Sequence, residues 1–139
     1  MPPPDNPPQS ACLTVFIVDD SAPVSEMLTE ILTVPGRVEV VGVADSEAPA
    51  IEAITRVRPD AVVLDLQLKT GSGANVIRAL RANAALADTR LIVMSNHASP
   101  QLKAGCLELG ADDYLDKVKD LALLTRAIAE MAERKQARS

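Results

Sequence analysis

Aromatic side chains are almost missing: the 139 residues hold Phe16, Tyr114 and no Trp. Stacking platforms for single-stranded nucleic acid are therefore absent, and the core must be built from Val, Leu, Ile, Ala and Met. Cationic excess is missing as well. A formal charge of −5 and an isoelectric point near 4.8 oppose binding to a phosphate backbone, so nucleic acid is not expected as a direct partner. Cysteine and histidine are too scarce for a Cys/His zinc cluster within one chain, since Cys12 and Cys106 lie far apart and His97 is the single histidine. His97 reads as a surface-loop residue, Cys106 as a small core residue and Cys12 as a tail thiol. No apolar run approaches the roughly 18 residues of a membrane span, and the N-terminus lacks the profile of a signal peptide. No membrane partner is expected, and the protein reads as cytoplasmic.

Apolar residues make up 47% and charged residues 24%, the balance of a globular chain that can bury a core. At roughly 100–200 residues per domain the length allows one domain with short tails. Five of the ten prolines fall in Met1–Pro8, where they remove backbone donors and add nothing to bury. Residues 1–12 are thus expected as a flexible tail, 13–132 as the domain and 133–139 as a charged C-terminal tail or solvated helix end.

Within the domain, short apolar runs alternate with helical periodicity. Val15-Phe16-Ile17-Val18 is apolar without alternation, as in a strand covered on both faces. Val24, Met27, Leu28, Ile31 and Leu32 then form a helical stripe, with Ser21 as cap, Pro23 in the first turn and Pro35-Gly36 as the stop. Further strands are expected at Val38–Val43, Ala61–Leu64, Leu91–Met94 and about Asp113–Leu115. Between them, Ala50, Ile51, Ile54 and Val57 mark a second helix, and Val76, Ile77 and Leu80 a third after Gly71-Ser72-Gly73. Ser99-Pro100 opens a fourth helix closed by Gly110. The last helix starts near Asp120 and carries Leu121, Leu124, Ala127, Ile128 and Met131 on one side. Strict alternation of five strand–helix units implies right-handed crossovers and an α/β doubly wound parallel sheet in a single domain. Ligand chemistry in such sheets lies beyond the carboxyl ends of the strands.

Those ends carry Asp19 and Asp20, Asp65, Ser95 and Lys117. Three carboxylates brought together raise one another's pKa unless a cation sits between them, and Mg²⁺, a hard ion with oxygen ligands, suits such a set. Metal, ammonium and hydroxyl together would stabilise a phosphoryl group in transfer. Each residue also has a plainer explanation. Asp19-Asp20 could cap the first helix, Ser95 could be a turn residue, Lys117 a solvated loop charge and Tyr114 a partly buried aromatic. Asp65 is harder to explain that way, because an acid directly after a four-residue apolar strand is costly unless paired or outside the core. Gly71-Ser72-Gly73 lacks the Lys-Ser/Thr of a P-loop, so ATP binding is not expected.

The segments Phe16-Ile17-Val18-Asp19-Asp20-Ser21, Val62-Val63-Leu64-Asp65, Val93-Met94-Ser95 and Gly110-Ala111-Asp112-Asp113-Tyr114-Leu115-Asp116-Lys117 resemble the receiver domain of bacterial two-component response regulators, in order and spacing, over about Leu13–Met131. The single-domain chemotaxis regulators are its best-known small members. The resemblance implies a flavodoxin-like five-stranded sheet of order 2-1-3-4-5. It also implies Asp65 as phosphoacceptor, Asp20 as direct Mg²⁺ ligand, Asp19 assisting mostly through water, and Asp65 with the Gln67 backbone carbonyl completing the metal site. Ser95 and Lys117 would bind phosphoryl oxygens, and Ser95 with Tyr114 would couple the site to the surface. Departures from the family pattern are Lys69 and Val118, each where proline is usual, and Asn96 where a smaller residue is usual.

The resemblance thus implies a phosphoacceptor regulator in a phosphorelay rather than an enzyme acting on other substrates, limited to its own phosphoryl transfer and autodephosphorylation. Its donor would be a sensor histidine kinase or a histidine phosphotransfer protein. Only eight residues follow Met131, so the readout is expected in trans, through an unidentified downstream protein. One alternative is a Mg²⁺-dependent aspartyl-phosphate phosphatase, which usually needs a second Asp where Gln67 stands. Another is a phosphorylation-independent receiver-type interaction module, whose usual mark, loss of an acid or the lysine, is absent.

Overall fold

The computed structural model describes residues 12–96 and 99–138. His97, most of the proline-rich segment and Ser139 lie outside the described residues. Five strands, β1 (Leu13–Val18), β2 (Val38–Ala44), β3 (Ala61–Asp65), β4 (Arg90–Ser95) and β5 (Asp113–Asp116), alternate with five helices. These are α1 (Ala22–Leu32), α2 (Glu47–Val57), α3 (Gly73–Arg81), α4 (Pro100–Leu109) and α5 (Leu121–Arg138). All strand pairs are parallel in the order β2-β1-β3-β4-β5, the flavodoxin-like arrangement implied by the resemblance. A 3-10 turn at Ala84–Leu86 precedes β4 and has no counterpart in the sequence expectations.

The pleat explains why the central strands are apolar throughout. Phe16 and Val18 of β1 point into one core with Ala50 and Ile54 of α2, Val76, Ile77 and Leu80 of α3 and Cys106 of α4. Val15 and Ile17 point the other way, into a core with Leu28 and Leu32 of α1 and Leu124 and Ile128 of α5. Truncating a fully buried side chain such as Ile54 to Ala would cost about 2–5 kcal/mol.

Local signals end the helices as their chemistry requires. The Ser21 hydroxyl accepts the Val24 N–H at the start of α1, and the Ser99 hydroxyl accepts that of Leu102 at the start of α4. Gly110, at φ 120°, closes α4 in a conformation that a side chain would strain. The expected α1 stripe is only partly buried: Leu28 and Leu32 are covered, while Met27 and Ile31 remain exposed. The sheet reaches only part of that apolar arc. Likewise Val57 stays exposed at the end of α2.

The charged end from Glu133 is helical, since α5 continues to Arg138, and Lys135 reaches back to the residues that precede β1 and β3. Its ammonium donates to the Cys12 carbonyl at 3.0 Å and to Asp60 Oδ2 at 2.6 Å, so Cys12 is half-buried against the domain. Periodicity could not reveal this, since both partners lie far away in sequence. Among the described residues, no helix is long and apolar enough to cross a membrane.

Candidate functional site

The strand register brings the acids together. Val18 pairs with Leu64, so the chain leaves β1 as Asp19 beside Asp65, the last residue of β3. Asp65 in turn pairs with Met94, and Ser95 with Asp116, which puts Ser95 and Lys117 at the same edge of the sheet. The Lys117 N–H donates to the Ser95 carbonyl at 2.8 Å, prolonging the β4–β5 ladder by one bond.

Lys117 Nζ lies 2.7 Å from Asp19 Oδ2 and 2.9 Å from Asp65 Oδ2, bridging the two buried carboxylates. The remaining oxygens are also held: Asp19 Oδ1 accepts the Ser21 N–H at 2.8 Å, and Asp65 Oδ1 accepts the Gln67 N–H at 3.1 Å. Asp20 is exposed, and its carboxylate joins the same cluster. The side-chain cap of α1 is Ser21 rather than either acid, and Asp19 and Asp20 stand just before it.

Burial pushes the Asp65 carboxyl above the ordinary carboxylate range, against the Lys117 hydrogen bond and the Gln67 N–H, which pull it down. Burial alone would lower the Lys117 ammonium. Hydrogen bonds from Asp19 and Asp65 outweigh it and leave Lys117 above the usual lysine value, firmly protonated.

Carboxylate oxygens of Asp19, Asp20 and Asp65 lie within 4.8 Å of one another. One ammonium faces three carboxylates, so the cluster retains negative charge, and its all-oxygen donor set fits a hard divalent cation. Ser95 is buried at 4% exposure, whereas Tyr114 is half-buried against the α2–α3–α4 core. Gln67, Lys69 and Asn96 are exposed around the site. Lys69 pairs with Asp45 at 3.4 Å. The Lys117–Val118 peptide is trans, and the Val118 N–H donates to Asp116 Oδ1 at 2.8 Å, a bond that proline could not make.

The order and contents of these strand ends coincide with a known pattern: the response regulator receiver domain matches residues 15–129. The chain belongs to the response regulator receiver domain family. A protein-glutamate methylesterase/protein-glutamine glutaminase of Myxococcus xanthus is 34% identical over 110 residues, covering 79% of this chain and 31% of that protein. The transcriptional regulatory protein PrrA of Mycobacterium bovis is 36% identical over 121 residues, 87% of this chain and 50% of the relative. The chain therefore spans 31% and 50% of the length of these two relatives. Among solved structures, the signal receiver domain of the putative response regulator NarL from Mycobacterium tuberculosis superposes with a TM-score of 0.78 at 30% identity, over 88% of this chain and 97% of that one.

Asp19, Asp20, Asp65, Gln67, Ser95 and Lys117 thus lie at or just beyond the carboxyl edge of the sheet, whereas Tyr114 sits inside β5, paired with Val93. Sequence reasoning missed Glu47, whose carboxylate accepts the Ser72 N–H at 3.0 Å on the loop that follows Asp65. Twenty-five positions separate that pair, and no local pattern links them.

Proposed function

We propose that this receiver domain is a phosphoacceptor that takes a phosphoryl group on Asp65 from the phosphohistidine of a partner sensor histidine kinase or histidine phosphotransfer protein. The observation that carries the reading is the Asp65 carboxylate, buried at the end of the central strand, paired with Lys117 and beside two further acids. In the transfer an Asp65 oxygen forms the new O–P bond while the N–P bond to the donor histidine breaks and its electron pair returns to the imidazole.

Asp19, Asp20, Asp65 and the Gln67 backbone carbonyl would hold Mg²⁺. When bound, the ion supplies positive charge to the equatorial phosphoryl oxygens. Lys117 would shift from the Asp65 carboxylate to a phosphoryl oxygen, keeping its contact with Asp19. The Ser95 hydroxyl would donate to another, and Tyr114 would transmit the change toward α4, β5 and α5. A downstream protein partner that discriminates the two states would read it there, by no more than its differential affinity. The domain acts on its own aspartate rather than on an external substrate.

Incubation with acetyl phosphate and Mg²⁺ should raise the intact mass by one phosphoryl group, with the adduct on Asp65. Equal labelling of Asp65→Asn would overturn the assignment, and absence of amide shifts at Asp20, Asp65 and Gln67 at millimolar Mg²⁺ would remove the metal from it.

A further inference from the structure

Glu47 opens α2, on the far side of the site from Lys117, and no step above uses it. Its surroundings are unusual for a first-turn acid. The Glu47 Oε1 atom accepts the Ser72 N–H at 3.0 Å and the Asn75 side-chain amide at 3.2 Å, while the Glu47 N–H donates to the Thr70 carbonyl at 2.9 Å. One residue thus holds both the loop between β3 and α3 and the first turn of α3. Asp45 adds a neighbouring tie, accepting the Lys69 N–H on its carbonyl at 3.1 Å.

That loop carries the groups facing the acid cluster. Gln67 donates its N–H to Asp65 Oδ1 and forms a bridge with Ser72, and the Gly73 N–H donates to the Leu66 carbonyl at 2.9 Å. The Glu47 carboxylate is therefore joined through Ser72 and Gln67 to Asp65. Gly71, at φ 91°, permits the close approach, because a side chain there would collide with the Glu47 side chain.

We propose that Glu47 is a positioning residue for the phosphoacceptor site, clamping the β3–α3 loop so that Gln67 stays aligned with Asp65 and the acid cluster. The inference rests on the phosphoacceptor reading for its consequence, but the clamp itself exists without metal or phosphate. Residues that orient metal ligands from outside typically change affinity by about 10–100-fold when removed, and the single clamp here belongs at the lower end, about tenfold.

A first-turn acid also interacts favourably with the helix dipole, and the two roles separate by substitution. Glu47→Gln keeps an acceptor oxygen but loses the charge; Glu47→Ala loses both. In the metal-free protein, amide hydrogen exchange at Gln67 should accelerate in Glu47→Ala and stay near the parent rate in Glu47→Gln. Mg²⁺ titration followed by NMR should then give about tenfold weaker binding for Glu47→Ala and near-parent binding for Glu47→Gln. Thr55→Ala, exposed and uncharged toward the other end of α2, should change neither. The clamp is overturned if Glu47→Gln behaves like Glu47→Ala, or if Gln67 exchange in Glu47→Ala matches the parent. Should Glu47→Ala fail to fold, Glu47→Asp, whose shorter side chain cannot reach Ser72, takes its place with the same expected results. A parent that binds no Mg²⁺ would count against the phosphoacceptor reading, and metal-free exchange at Gln67 would still decide the clamp.

Discussion

The two ends of the sheet handle charge in opposite ways. At the amino ends of the strands, Asp60 Oδ2 accepts the Thr14 N–H at 2.8 Å, the Thr14 hydroxyl at 3.1 Å and the Lys135 ammonium at 2.6 Å. Arg81 is equally satisfied, donating to the carbonyls of Leu86, Thr89 and Gly110 and to Asp112 Oδ2. At the carboxyl ends, one ammonium serves Asp19 and Asp65, and Asp20 adds a further negative charge beside them. Matched charges tie α5 to the residues that precede β1 and β3; unmatched ones remain at the site that we propose takes up a cation and a phosphoryl group.

The sharpest way to break this contrast is to remove the shared cation. Lys117→Gln should slow acetyl phosphate labelling of Asp65 by about 10²–10³-fold, the usual cost of losing one preorganised donor to a developing oxyanion, as read by intact mass over time. Lys135→Gln, at the other end, should label like the parent. Next in size is Asp60→Ala, which strips three donors of their acceptor and should lower stability by about 2 kcal/mol while leaving labelling unchanged. Urea denaturation measures that loss.

Asp65→Asn should move stability the other way. Because the folded-state carboxyl lies above its unfolded value, the ionised form is disfavoured at neutral pH, and the neutral isostere should show a higher urea midpoint there without Mg²⁺. As pH falls through the raised folded pKa, the folded protein gains a proton that the unfolded chain still lacks, so this contribution to stability rises in the parent. Asp65→Asn should lack that rise, and the two midpoints should converge.

The smallest effect lies at the entry to α5. Asp116 accepts the N–H groups of Lys119 and Val118, which hold its carboxyl below the ordinary range. Its contribution is present above the unfolded value of 3.8 and is lost as pH falls through the depressed folded value. Amide shifts of Val118 and Lys119 should titrate together below that of an unperturbed aspartate, and Asp116→Asn should abolish the transition.

Much of the site was legible in the sequence because its residues are appended to strands whose apolar runs announce them. Asp65 follows Ala61–Leu64, and Asp19 follows Val15–Val18. The clamp at Glu47 and the tie from Lys135 were not legible, since neither alters local periodicity. Lys135 in particular stands in a run of charges that equally suits a solvated helix end, and only the packing of α5 across the sheet gives it Asp60, 75 positions away.

By itself the sequence determined the alternation of strand and helix, the caps at Ser21 and Ser99, the two-faced burial of β1 and β3, and which polar residues stand at the strand ends. These follow from side-chain period, turn chemistry and the cost of burying an acid, all of which act over a few residues. Tertiary structure alone decided which charges meet. That Lys117 bridges Asp19 and Asp65 while Asp20 stays exposed depends on strand order and register. A bond closing 52 positions of chain becomes available only when β1, β3 and β5 have been brought to one edge.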